Sequence, residues 1–100
     1  MRERIEMTKS TEHLPAEVVG QRVGAVTTGL QSTLNLQTRW DDNSSTVLFE
    51  SMDGFAKGVT GTLQIRPGEL HLVVHLPMLL RVQADAVEAQ INEMFEEALK

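Results

Sequence analysis

The chain has 100 residues, with nine Lys or Arg against fourteen Asp or Glu and a formal net charge of −5 when its three histidines are neutral. A chain this long buries roughly 60 to 70% of the surface its unfolded form exposes, enough for one domain over 1–100 but not for two with a cleft between them. The 41% apolar fraction excludes a disordered chain, the absence of cysteine excludes a disulfide framework and a cysteine zinc site, and the scattering of the basic residues excludes a nucleic-acid surface.

Residues 1–15 mix charges and hold no apolar run of seven, so no signal peptide is expected and a cytoplasmic location fits. Residues 2–8 alternate loosely, with Ile5 and Met7 on one side, and predict a first strand that leads into a turn over 10–14. From Pro15 the spacing changes. Ala16, Val19, Val23, Val26, Leu30 and Leu34 recur every three or four residues and predict a helix with one buried face. Pro15 suits the first helical turn, where its missing N–H costs nothing. Gly20, Gly24 and Gly29 each cost this helix about 1 kcal/mol relative to Ala, so packing must hold it. Gly20 and Gly24, four apart, predict a close approach of the sheet or of a second helix.

Beyond Leu34 the period drops to two. Leu36, Thr38 and Trp40 share one face and Gln37 and Arg39 the other, which predicts a strand ending in a turn over 41–45. Residues 46–51 form the next strand, with Val47 and Phe49 together, and a loop over 53–58 follows. Val59, Gly61, Leu63 and Ile65 then alternate with polar neighbours. After Pro67-Gly68, so do Leu70, Leu72, Val74 and Leu76. A turn of two or four residues pairs Ile65 with Leu70, Leu63 with Leu72, Gly61 with Val74 and Val59 with Leu76, placing every apolar residue on one face. Pro77 ends the ladder. From Leu80 the helical period returns through Ala84, Val87, Ile91, Met94 or Phe95, and Ala98. The uncharged stretch 70–80 is about half the length of a membrane helix and is interrupted by Pro77, so no transmembrane segment is expected.

A sheet with one apolar face must cover it, and the two helices are the elements available. The expected fold is α+β: a two-layer antiparallel β-sheet in the order strand, helix, four-strand meander, helix, with two helices on one face, by analogy a small helix-grip arrangement.

The residues that suggest chemistry have plainer explanations. His71 and His75 lie roughly 13 Å apart on a strand, too far to share a zinc that needs both nitrogens about 2 Å away. They are expected on the outer face, opposite Gln64 and Thr60, and the histidine of the first loop, His13, completes no ligand set. Asp41, Asp42 and Asp53 lack the ligand order of a calcium loop, and Ser44 and Ser45 lack a nucleophile elbow; all read as turn residues. No catalytic residue, metal ligand or cofactor is expected. What remains is apolar. Phe55 lies in a loop where no periodicity buries it, and Met78, Leu79, Leu80 and Val82 crowd the start of the last helix more densely than one stripe hides. Phe55, Met78, Leu79, Leu80 and Val82 form the candidate interaction patch.

Written out, the chain resembles the polyhydroxyalkanoic acid system family, small bacterial proteins associated with genes for polyester storage granules. The resemblance covers nearly the whole length. It rests on the order and spacing of Trp40-Asp41-Asp42, Val47-Leu48-Phe49, Val59 through Ile65, Glu69 through Val74, the Leu79-Leu80 step and the Ile91 and Leu99 spacing of a terminal helix. It implies a role in polyester synthesis, granule coating or their regulation, and implies no catalytic residues. First helices in this family look richer in arginine, whereas here Arg22 stands alone, so no basic first helix is available for a role.

The expected function is that of a non-enzymatic accessory protein of the bacterial polyhydroxyalkanoate storage system. It would be cytoplasmic or granule-associated, binding a partner protein or the polyester granule surface through the apolar patch. The alternative is a small lipid or hydroxyacyl-binding module with a pocket between sheet and C-terminal helix. An exposed edge strand would also allow a homo-oligomer, although the sequence does not identify that edge.

Overall fold

A computed structural model describes residues 3–41, 45–52, 54 and 57–100. The elements run β1 (Arg4–Ser10), α1 (Ala16–Leu34), β2 (Gln37–Trp40), β3 (Thr46–Glu50), β4 (Thr60–Arg66), β5 (Glu69–His75), α2 (Met78–Arg81) and α3 (Ala84–Ala98). The strands form one open antiparallel sheet in the order β1-β5-β4-β3-β2. α1 therefore carries the chain from one edge to the other, and the meander returns strand by strand until β5 pairs with β1. This is the α+β, two-layer arrangement expected from the alternation, and it places the N-terminal strand beside the last strand.

The β4–β5 hairpin has the register that its apolar residues demand. Ile65 faces Leu70, Leu63 faces Leu72 and Gly61 faces Val74. Arg66 pairs with Glu69, so the turn holds two residues, and Gly68 takes the left-handed φ of +77° that glycine adopts without a Cβ clash. Val59 and Leu76, the next pair outward, are both buried. The β2–β3 turn is closed by Asp41, whose N–H donates to the Thr46 carbonyl at 2.9 Å and whose Oδ1 accepts from the N–H groups of Ser45 and Thr46. This is the turn chemistry of a short acidic side chain. Asp42, Ser44, Asp53 and Phe55 lie outside the described residues.

One face of the sheet is covered by helices. α3 lies against β1, α1 against β2, and the two helices touch each other. Val19, Val23, Val26 and Leu30 of α1 and Ala84, Val87, Ile91 and Phe95 of α3 are buried against Ile5, Val47, Phe49, Leu63, Leu72 and Val74 of the sheet. The Leu34 side chain, the last of the expected α1 stripe, lies outside the described residues. α1 ends at Asn35, held in the left-handed region at φ 54°.

Two expectations need correction. Gly20 and Gly24 do not mediate a close approach: a Cβ at either position would meet open space, and both are exposed. The glycine at the helix–helix contact is Gly29, where a Cβ would stand 3.0 Å from the Met94 sulfur. Trp40 is on the helix-covered face, as the alternation predicts, opposite Val47, and is 42% exposed because β2 stands at the end of the strand order. Finally, the last helix does not run unbroken from Leu80. The single turn α2 stops at Arg81, and Gln83, at φ −105° and ψ 14°, separates it from α3.

Candidate functional site

α2 is placed by what flanks it. β5 ends at His75, Leu76 is buried, and Pro77 caps the helix with φ −67° and ψ 160°, an extended geometry that Pro adopts readily before a helix. The loop between β3 and β4 leans on it, since a Cβ at Gly58 would stand 3.2 Å from the Pro77 side chain. The Arg81 side chain folds back, with Nε donating to the Leu76 carbonyl at 3.3 Å and the guanidinium 3.6 Å from Glu3.

In one helical turn, positions 78, 79 and 82 fall on one side and position 80 on the other. The structure separates the expected patch along that line. Leu80 is 6% exposed and belongs to the core, whereas Met78, Leu79 and Val82 are 70%, 86% and 70% exposed. α2 thus anchors itself through one leucine and, together with its C-cap Val82, turns three apolar side chains to solvent. Met52, in the β3–β4 loop that also supplies Gly58, is a further exposed apolar residue. No periodic signal marks Met52, which follows a strand and fits neither period.

The remaining candidates sit apart from this patch. His71 and His75 project from the uncovered face of the sheet, opposite Gln64 and Thr60, and His71 Nε2 lies 3.2 Å from Glu6, which also has Arg4 at 3.6 Å. His13 Nε2 donates to the Leu99 carbonyl at 2.7 Å, tying the β1–α1 loop to the end of α3. Among the described residues, no group of three or more His, Cys, Asp or Glu side chains is close enough to hold a metal ion.

A shallow concavity of about 640 Å³ opens on the uncovered face, lined by Gln37, Arg39, Leu48, Glu50, Thr60, Thr62 and His75 among others. The interval between sheet and α3, where a hydroxyacyl pocket would lie, is occupied by Leu63, Leu72, Ile91 and Phe95, each no more than 1% exposed. No helix of the described residues is long and apolar enough to cross a membrane.

No curated protein and no solved structure matches the chain. A family does: residues 5–99 match the family described as "putative polyhydroxyalkanoic acid system protein", in agreement with the resemblance carried by the strand and helix motifs, and the chain belongs to that family.

Proposed function

We propose that the chain is a non-enzymatic accessory protein of the bacterial polyhydroxyalkanoate storage system. In this reading it acts as one unit in the cytoplasm and docks on the polyester granule, or on a protein at its surface, through the apolar side of α2. The observation that carries the reading is the exposure of Met78 and Leu79 on α2 and of its C-cap Val82, beside a Leu80 that is already anchored in the core. Covering each exposed side chain would contribute on the order of 1 to 2 kcal/mol, enough together for reversible attachment. Family membership supplies the context, since a polyester surface offers apolar alkyl groups to such a patch.

Fractionation of polyester-accumulating host cells tests this. The protein is expected to sediment with granules, and Leu79→Asp combined with Val82→Asp is expected to shift most of it to the supernatant. A protein found only in the supernatant, with no granule protein bound to it, overturns the proposal.

A further inference from the structure

The sheet has two open edges, β1 and β2, and they differ in what overlooks them. At β1, Lys9 reaches Glu96 of α3 at 3.2 Å, and α3 also carries Asp85, Glu88, Glu93 and Glu97. Two copies meeting at that edge would bring two acidic helices together. At β2 the overlooking element is α1, whose Gln31 Nε2 donates to Thr38 Oγ1 at 2.7 Å. That bond identifies the flank of α1 above β2. Gly24 and Gly20, seven and eleven residues before Gln31, lie on the same flank, where Glu17 is the one charged residue. A copy can approach there without a like-charge penalty.

The backbone of β2 is disposed for pairing. Asp41 N–H bonds to the Thr46 carbonyl, and bonded pairs alternate along an antiparallel ladder, so residues 37, 39 and 41 face β3 while Thr38 and Trp40 turn their N–H and C=O groups outward. The half-exposed Trp40 ring sits at the same edge.

We propose that β2 pairs antiparallel with β2 of a second copy about a two-fold axis, joining the two sheets and burying Trp40. Centred on Thr38, the pairing sets Gln37 against Arg39 and Leu36 against Trp40 of the other copy. A register centred on Arg39 would instead oppose two guanidinium groups. The pairing is independent of the granule reading, and its failure leaves the α2 patch untouched.

Trp40 is the one tryptophan in the chain, which has no tyrosine, so its emission reports this edge alone. Sedimentation velocity and fluorescence are followed together as protein concentration rises. The expected result is a doubling of mass with a blue shift of emission. Thr38→Pro removes an outward N–H while leaving the bonds to β3, and is expected to stay monomeric and red-shifted with unchanged far-ultraviolet circular dichroism. Gln31→Ala, which removes only the Gln31–Thr38 bond, controls for that loss and is expected to dimerise. Trp40→Lys, followed by mass, places a charge at the edge without altering the backbone and serves if Thr38→Pro does not fold. A wild-type chain that stays monomeric with constant emission overturns the proposal and leaves the edge to a different protein's strand or to solvent. A dimer that survives Trp40→Lys, or a folded Thr38→Pro, also overturns it.

Discussion

Of the seven glycines, Gly61 has the least room for a side chain. A Cβ there would come within 2.5 Å of both the Phe49 ring and the Val73 carbonyl, because the ring lies across the glycine on the neighbouring strand. Gly61→Ala is expected to cost about 1 to 3 kcal/mol through overpacking, read as a lower urea midpoint. Gly20 and Gly24 are the opposite case. With open space around each, Ala at either position is expected to raise stability by about 0.5 to 1 kcal/mol in the same measurement. The sequence shows that these glycines weaken a helix but not which of them touches anything, since contact depends on which flank of α1 meets α3. Trp40 illustrates the same limit: alternation assigns its face, while its exposure follows from β2 being last in the strand order.

Among the elements, the hairpin of β4 and β5 has its register legible in the sequence, because the alternating pattern flanking Pro-Gly allows one pairing that puts Gly61, Leu63, Leu70, Leu72 and Val74 on the covered face, while the turn length of two residues is settled only by the Arg66–Glu69 pair. The junction of α2 and α3 is not legible there. Leu80, Ala84, Val87, Ile91 and Phe95 are spaced as in one straight helix, and all five are buried, so the stripe persists across a backbone break that spacing cannot reveal. The break has a consequence that substitutions can separate. Leu80→Ala is expected to destabilise the fold by about 2 to 4 kcal/mol, as a core truncation does. Leu79→Asp, one residue away and 86% exposed, is expected to change stability by less than about 0.5 kcal/mol. Comparing their urea midpoints checks both values. The surplus of apolar residues around Met78 to Val82 is visible in the sequence, but the side to which each one turns is set by the phase of α2.

At the scale of the molecule, one apolar cluster runs from Ile5 to Leu99 and holds the sheet to both long helices. Phe95, 1% exposed, is among its largest fully buried members, and Phe95→Ala is expected to cost about 3 to 5 kcal/mol. Ion pairs between elements are a minor term. Lys9–Glu96 at 3.2 Å and Arg81–Glu3 at 3.6 Å involve at least one well-exposed partner each, and such pairs contribute roughly 0 to 1 kcal/mol. Among the described residues, Met78, Leu79 and Val82 are the large apolar side chains with the highest exposure, at 70%, 86% and 70%. Attachment of this protein to the granule through Met78, Leu79 and Val82 is read from the share of protein recovered with purified granules, for the wild type and for a folded Leu79→Asp, Val82→Asp variant of matched stability. Most of the wild type is expected there, with about a tenfold loss for the variant, in keeping with about 1.4 kcal/mol or more of lost attachment; equal recovery of the two proteins would overturn attachment through this patch.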